Sequence, residues 1–465
     1  MCTISTVRTK TTAGVFRLCC SLDSFTSKPN RRAASPTLIY TPCESLNHTP
    51  TVTSPSNQLS TYINQVIENV HELWEDLCRD GKGWILLTVS AGWFLSIGVR
   101  YIYPSVLPFI RETFAMDLTI AGFLLSTLWL AYALGQFPGG VLGDKIGEGN
   151  ILVLSTLVST VAILLVTTSF TVIMVFAATA AFGFATGLYG PHRFTIFTDI
   201  YSDRSGTAVG VTMAAGSVGN TILPAVGAAI AGYTTWRLGF GVLIPFFVAV
   251  CVGIYLFVPK RTSTSTGDTD TFSRATFRRV AASAVGGGIP VVVSVHIALA
   301  FVSNGFLGFF PTYLIEVKGF SPQLAAIVFG SYFAFGVAIQ PLTGVLRDRF
   351  GSRQTLGFVA AMLFTGLGAL QFGESLWVIL LLTAFISHRN GVGVVTNTFI
   401  ADSLDDDIKG SGLGLLRTSW LLTGALSPIF VGILGDLGRL DFAFLILAGI
   451  AGLGLLLTFF IPRDI

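Results

Sequence analysis

The chain has 465 residues, of which 52% are hydrophobic and only 11% are charged. Soluble domains carry roughly 25% charged residues, so this chain cannot cover a water-exposed surface, and a soluble fold is excluded. The 51 glycines and 38 phenylalanines are typical of closely packed membrane helices, in which small residues let the backbones approach each other. The composition predicts a membrane protein with many spans.

The first segment, residues 1–60, is rich in Ser and Thr and has no apolar run long enough for the core of a secretory signal peptide. We predict a disordered polar tail, although its basic, hydroxyl-rich composition also fits an organelle transit peptide. In residues 61–83, the apolar residues between Tyr62 and Leu77 fall on one face of a helix. This spacing predicts an amphipathic helix that leads into the membrane.

From Trp84 onward, apolar runs of a length that can cross a bilayer alternate with short polar breaks. The pattern predicts an all-α protein with twelve transmembrane spans. The predicted spans are Trp84 to Ile110, Thr119 to Leu142, Ile151 to Ser169, Thr171 to Asp199, Gly206 to Ala231, Leu238 to Val258, Pro290 to Leu314, Gln323 to Leu346, Thr355 to Phe372, Leu376 to Ile400, Gly410 to Leu434 and Phe442 to Ile461.

The positions of the 28 Lys and Arg residues indicate the orientation. An even number of spans places both termini on one side, and most of the basic residues fall on that side. Only Arg111, Arg237, Lys318 and Arg439 fall on the opposite side. Because cytoplasmic loops carry an excess of Lys and Arg, we predict cytoplasmic termini in the cell membrane. An organelle membrane is the alternative if the tail is a transit peptide.

The sequence also contains an internal repeat at a constant offset. It predicts two parallel six-helix halves, residues 84–259 and 289–465, joined by a cytoplasmic linker at 260–288. Chance similarity through Gly and Leu alone is disfavoured because Asp, Gln and Pro also match. The matching pairs include Gln136 with Gln340, Asp144 with Asp348, Gly147 with Gly351, Gly206 with Gly410, Gly210 with Gly414, and Pro224 with Pro428.

One polar motif occurs at the same place in both halves. Residues Gly140 to Gly147 read GVLGDKIG, and residues Gly344 to Gly351 read GVLRDRFG. Both resemble the GxxxD(R/K)xG loop that joins spans 2 and 3, and spans 8 and 9, in the major facilitator superfamily. The resemblance covers the chain from about Trp84 onward, and it implies that family's fold of two pseudo-symmetric six-helix halves.

The resemblance also implies a gating role for the motif. A carboxylate is attracted by the positive N-terminus of a helix, so Asp144 would contact the start of span 11 near Gly410, and Asp348 the start of span 5 near Gly206. These contacts would form in one conformation and break in the other. The residues assigned to gating are Asp144, Lys145, Asp348, Arg349, Arg353, Arg193 and Arg417.

The substrate is inferred from charges inside the spans, since an ion in the bilayer core must face a wet cavity or a partner. No Asp or Glu lies in a span interior, whereas several cationic residues do, mostly on spans 1, 4, 7 and 10. In the family these spans line the central cavity. We assign substrate contacts to Arg100 and Arg389, with Asn304, Asn390 and Gln340 as neutral contacts, and we name His192, His296 and His388 as candidates for proton coupling.

These residues predict a secondary transporter, not an enzyme, that moves a small organic or inorganic anion, because guanidinium groups bind carboxylate or phosphate oxygens in pairs. Proton or sodium symport is the expected coupling. We expect a monomer in the lipid bilayer without cofactor, metal, disulfide framework or nucleic-acid partner.

Proton-coupled drug efflux is the alternative. Gly210, Gly219, Pro224 and Gly227 resemble the span 5 motif of antiporters in the family, whereas Thr179 stands where drug antiporters have an arginine. A non-transporting membrane receptor is a remote alternative.

Overall fold

The computed structural model describes residues 75–262, 286, 288–404 and 409–462, together with Asn64 and Glu68. The predicted tail, most of the lead-in helix and most of the linker lie outside these residues, as do the side chains of Phe137, Asp144 and residues 409–411. From Gln65 onward the chain forms one compact unit.

In the described part, the chain is helical and contains no strand. A short 3₁₀ turn, Arg79–Gly81, leads into the first long helix. The membrane helices are α1 Lys82–Phe114, α2 Leu118–Ile146, α3 Glu148–Thr167, α4 Val172–Ile200, α5 Ser205–Tyr233, α6 Trp236–Gly241 with Ile244–Phe257, α7 Ile289–Glu316, α8 and α9 within Pro322–Ala369, α10 Leu376–Ile386 with Ser387–Gly391 and Val392–Ser403, α11 Lys409–Ala425 with Ser427–Asp436, and α12 Leu440–Thr458.

The count of spans agrees with the prediction once one long helix is divided. The described residues contain 11 helical segments long and apolar enough to cross a membrane, and the longest, Pro322–Phe372, has 51 residues. At Gly351 its backbone leaves the helical region, with φ 80° and ψ 170°. Division there gives α8 (322–350) and α9 (352–369), and hence twelve helices. Gly147, the repeat partner, has φ 93°, so both motif glycines occupy a backbone region that favours glycine.

Three predicted spans are interrupted, which the apolar runs did not indicate. Because proline lacks an N–H group, it cannot donate to the carbonyl four residues earlier. Accordingly, α6 breaks after Gly241, four residues before Pro245, and α11 breaks at Leu426, close to Pro428. The break in α10 is a 3₁₀ segment, Ser387–Gly391, which ends in glycine, a residue of low helix propensity.

The two faces of the bundle differ in how the two halves meet. We call the face at which α1 begins the terminal face, and the opposite one the distal face. On the distal face, Ser, Thr or Asp side chains cap the even-numbered helices α2 to α10 by accepting a backbone N–H bond. The caps are Asp117, Thr171, Thr235, Ser321 and Ser375.

The halves are in contact at the distal face. Gly122 of α2 lies against the Pro428 carbonyl of α11, and Gly330 of α8 lies against the Thr221 carbonyl of α5. Helices α2 with α11, and α5 with α8, therefore pack closely where glycine leaves room for a neighbouring backbone.

At the terminal face, the same helix pairs diverge. A Cβ atom added at any of five glycines near the terminal ends of these helices would meet no atom of the described residues within 4 Å. The described helices are therefore closely packed at the distal face and leave open space at the terminal face. The five glycines are Gly140 of α2, Gly206 and Gly210 of α5, Gly344 of α8 and Gly414 of α11.

Candidate functional site: a cationic cavity between the halves

The N-terminal half holds two buried arginines beside one indole ring. Arg100 of α1 is 1% exposed and Arg193 of α4 is 2% exposed. Their guanidinium carbons lie 5.5 Å and 3.4 Å, respectively, from the centre of the Trp93 ring. Arg100 Nη2 and Arg193 Nε lack a hydrogen-bond partner within the described residues. Each arginine thus keeps an unused donor in a buried position. The Arg193 side chain packs on Trp93 and does not extend to the membrane interface at the end of α4.

Tyrosines connect Arg100 with the second predicted clamp residue, Arg389. The Tyr132 ring lies 4.0 Å from the guanidinium carbon of Arg100. Tyr101 is close enough to interact electrostatically with both Arg100 and Arg389. Arg389 Nε donates to the carbonyl of Leu299 at 2.9 Å. The structure therefore places the two predicted clamp arginines, one from each half, within electrostatic range of the same tyrosine.

A fourth arginine, Arg417 of α11, lies near these residues. Arg417 is exposed, and it interacts electrostatically with Tyr132 and Arg193 of the N-terminal half and with His296 of α7. Sequence reasoning placed Arg193 and Arg417 with the gating residues, but their side chains lie beside the predicted substrate site.

The four arginines, Arg100, Arg193, Arg389 and Arg417, give this region charge of one sign. In the described spans, acidic side chains occur near the helix ends, as at Asp199 and Asp402, and none accompanies the four arginines. Aromatic rings supply the remaining contacts. They are Trp93, Tyr101, Trp129 and Tyr132 from the N-terminal half, and Tyr332, Phe333 and Trp420 from the C-terminal half.

Sequence reasoning did not select these aromatic residues, although their spacing offered a signal. Trp93 and Ser96 precede Arg100 by seven and four residues, which places all three on one face of a helix. Trp129 and Tyr132 are likewise three residues apart. Aromatic side chains at helical spacing are more often part of a core, so the pattern alone does not indicate a cavity.

The neutral residues assigned to substrate contact occupy different places. Asn390 Nδ2 donates to the Ser387 carbonyl at 2.9 Å, and the Asn390 side chain also hydrogen-bonds Tyr332. Asn304 packs against Gly424 of α11. Gln340 is half-buried on α8. Of the three, Asn390 is therefore the one with a described hydrogen bond to Tyr332, which interacts electrostatically with Arg389.

Two of the predicted coupling histidines are held by backbone carbonyls. His192 Nε2 pairs with the Gly139 carbonyl at 2.7 Å and packs α4 on α2. His388 Nδ1 pairs with the Ala384 carbonyl at 3.1 Å, and its ring meets Phe358 of α9. Both rings therefore have a backbone partner, whereas Nδ1 of His296 has none within the described residues.

Of the predicted gating contacts, that of Asp348 is not formed within the described residues. Asp348 is 72% exposed and pairs with Arg347 at 3.4 Å, whose Nη2 also pairs with Asp402 at 2.6 Å. Arg347 was not among the predicted gating residues. Lys145 and Arg349 are exposed, and the Asp144 side chain lies outside the described residues. The gating roles stay predictions for the opposite conformation.

Arg353 also lies at the terminal face. Its guanidinium carbon is 5.9 Å from the Phe459 ring centre.

A polar contact that the sequence did not indicate closes the distal face. Both carboxylate oxygens of Asp436, at the end of α11, accept backbone N–H bonds at the start of α2, from Leu118 at 2.7 Å and Thr119 at 2.8 Å. Nearby, Arg111 of α1 and Glu316 of α7 form an ion pair. Both contacts join the two halves.

Twelve helices in two repeated halves, with four arginines near the place where the halves meet, are typical of a polytopic membrane transporter. A family model described as Major Facilitator Superfamily matches residues 89–393 and 292–464. The chain belongs to this family, as its repeated motif predicted, and it is therefore a transporter and not an enzyme.

Among curated proteins, the chain is similar to a probable sulfoacetate transporter, SauU, of Cupriavidus necator. The two are 27% identical over 391 residues, which cover 76% of this chain and 87% of the relative. It is also 30% identical over 165 residues to the multidrug resistance protein MdtG of Salmonella choleraesuis, which covers 34% of this chain and 40% of that relative.

Solved structures share the fold. A bacterial homologue of the human lysosomal transporter Spinster, in an inward-facing and occupied conformation, has a TM-score of 0.68 at 15% identity, covering 82% of this chain and 96% of that one. The nucleoside transporter NupG has a TM-score of 0.68 at 13% identity, covering 81% and 98%.

Proposed function

We propose that this protein is a secondary transporter that moves a small organic anion by alternating access. The observation that carries the proposal is the set of four arginines, Arg100, Arg193, Arg389 and Arg417, around one cavity without a neighbouring carboxylate in the described spans. Desolvated guanidinium groups are costly unless a counter-charge approaches, and a carboxylate or sulfonate with several oxygens supplies one.

A small ligand with two acidic groups would contact both halves at once. Tyr101 interacts electrostatically with both Arg100 and Arg389, one from each half. Sulfoacetate, which the relative SauU is named for, has a sulfonate and a carboxylate joined by one methylene group. An anion of this kind would engage one arginine from each half, and its binding would favour a conformation in which the halves are close.

We also propose how the protein is oriented in the membrane and which ions drive transport. The terminal face is the cytoplasmic one, because most Lys and Arg residues flank it, and the described conformation is then open to the cytoplasm. The protein works as a monomer in the cell membrane and couples the anion to H⁺ or Na⁺.

Drug efflux is the second candidate, favoured by the similarity to MdtG and by the glycines of α5. The structure gives several of these glycines a packing role. Gly219 lies against the Phe94 carbonyl and Gly227 against Ile102, both on α1. Their occurrence is therefore explained by the close approach of α5 to α1, whatever the direction of transport.

A thermal-shift screen of the purified protein distinguishes the two candidates. Sulfoacetate, other small carboxylates and sulfonates, inorganic phosphate and lipophilic cations such as ethidium would be compared. We expect at least one anion to raise the unfolding temperature and the cations to have no effect, because ligand binding stabilises the native state. Stabilisation by the cations alone would reverse the assignment.

A further inference from the structure

The histidines within the spans differ in how their rings are satisfied. His192 and His388 pair with backbone carbonyls, as described above. His296 is 4% exposed, and its Nδ1 has no hydrogen-bond partner in the described part of the chain. A buried polar atom left without a partner destabilises the folded state, so packing alone does not account for a histidine at this position.

Two arginines near His296 oppose protonation of its ring, and one aromatic ring favours it. The charged groups that act on the imidazole, in the described residues of the helices packed around it, are Arg389 of α10 and Arg417 of α11. Protonation would add a third positive charge to these two. The imidazole ring also stacks on Trp420, with centroids 4.1 Å apart and planes inclined by 15°, and the face of an indole attracts a cation.

A bound anion changes this balance. An anion between the arginines offsets their repulsion of the imidazolium, so the free energy of protonating His296 falls when the anion is present. By linkage, a proton on His296 strengthens anion binding by the same factor.

We propose that His296 is the residue that takes up the coupling proton of anion–proton symport. This inference rests on the anion-transport function proposed above. One N–H bond forms between a proton from water and the free ring nitrogen, and the anion undergoes no covalent change. The same N–H bond breaks when the anion leaves at the other face. The coupling thus needs no carboxylate in the cavity.

Proton uptake on anion binding tests the proposal directly. Purified protein in weakly buffered solution would be mixed with sulfoacetate at several pH values between 5 and 8, and both the bound anion and the protons taken up would be measured. We expect wild-type protein to take up protons with the anion. Its apparent affinity should fall with rising pH, at the steepest by about tenfold per pH unit.

Substitution identifies the group. In His296→Gln, anion binding should persist, its pH dependence should flatten and proton uptake should disappear. In proteoliposomes this variant should exchange sulfoacetate for sulfoacetate but fail to accumulate it against a gradient when a pH gradient is imposed. The control is Ser294→Ala, an exposed residue of the same helix whose hydroxyl donates to the Pro290 carbonyl, and it should behave as the wild type does.

The outcomes separate this inference from the function on which it rests. Wild-type protein that binds sulfoacetate without proton uptake, or a His296→Gln variant that retains proton uptake, overturns the coupling role and leaves anion transport standing. The wild-type measurement decides the matter even if the variant does not fold. If neither sulfoacetate nor any other small anion binds the wild type, the function itself is overturned.

Discussion

The four arginines of the cavity are unusual because their charges are not matched locally. Arg100 donates to the Ser96 carbonyl and Arg193 to the Gly190 carbonyl, so each is partly satisfied by its own helix. Ring faces of Trp93 and Tyr132 add cation–π attraction, worth about 2 kcal/mol or more when the cation is desolvated. These contacts hold the guanidinium groups in place while leaving donors free for a ligand.

Neutralising either clamp arginine is expected to remove anion transport. Arg100→Gln and Arg389→Gln each lose a charge-assisted bond of about 1.5–3 kcal/mol, so the apparent anion affinity should weaken by about 10- to 100-fold. Initial uptake rates in proteoliposomes would measure the effect. Arg439→Gln, exposed on the distal face, is the control and should transport normally. Near-normal uptake by both clamp variants would contradict the site.

At this scale, charge was the informative signal in the sequence. Arg100 and Arg389 were selected because a cation inside a span is costly; the structure places both within electrostatic range of Tyr101, and their role in substrate binding stays a prediction. Arg193 was assigned to gating because it lies close to Asp199 in the sequence; the structure places its guanidinium group over Trp93, and its gating role stays a prediction. Trp420 and Tyr132 were missed because aromatic residues are common in any apolar span.

At the scale of the helix, interruptions position the functional groups. Arg389 lies within the 3₁₀ segment of α10, Ser387–Gly391, and Gly391 allows close approach to Thr343 of α8. Apolar periodicity could predict the existence and length of α10, but not this break, since it depends on a neighbouring helix.

The motif glycine between α8 and α9 should be intolerant of substitution. Gly351 has φ 80°, a region that costs a non-glycine residue about 1–3 kcal/mol. Gly351→Ala is therefore expected to lower the unfolding temperature in detergent. Gly344→Ala, in an open helical position of the same motif, should be neutral or stabilising. Equal stability of the two variants would indicate that the backbone at 351 is not strained.

The carboxylate at the end of α11 is expected to hold the distal face closed. Asp436→Ala removes two acceptors from the N-terminus of α2, each bond being worth about 1.5–3 kcal/mol, and should shift the population towards a distal-open state. Spin labels at Phe170 and Phe372, exposed on distal turns of the two halves, would show longer separations.

Asp441→Ala is the control for this measurement. Asp441 accepts a hydrogen bond from the Tyr313 hydroxyl within the C-terminal half, so its loss should leave the separation between the halves unchanged. Unchanged separations in Asp436→Ala as well would assign the closure to other contacts.

At the scale of the whole molecule, the repeat places related residues of the two halves on the same face. Glycine pairs related by the repeat, Gly140 with Gly344 and Gly210 with Gly414, lie in open space at the terminal face. The distal face is meanwhile joined by Asp436 and by the Arg111–Glu316 pair. Reversal of these contacts would give the opposite conformation, in which the predicted motif contacts can form.

The motif aspartate of the second half should affect turnover more than affinity. Asp348 is exposed in the described state and is predicted to meet the start of α5 only when the terminal face closes. Asp348→Ala is therefore expected to lower the maximal transport rate severalfold with little change in the half-saturating concentration. Glu374→Ala, exposed on a distal turn, serves as the control. A large change in the half-saturating concentration would place Asp348 in substrate binding instead.

Composition and repeats predicted the global architecture well because hydrophobic length and motif spacing are local properties of the sequence. The family, the twelve spans and their two halves follow from such properties. The state of the gates does not, since it is set by contacts such as that between Asp436 and Leu118, which are separated by more than 300 positions.

The central claim is that the cationic cavity carries an anion across the membrane. Its most direct test is uptake of radiolabelled sulfoacetate, with unlabelled small carboxylates and sulfonates as competitors, into proteoliposomes that contain wild-type protein or the double variant Arg100→Gln and Arg389→Gln. The account predicts saturable uptake by the wild type, inhibited by at least one anion, and none above empty liposomes for the double variant. Equal transport by both proteins, or transport of a lipophilic cation with no response to any anion, would contradict it.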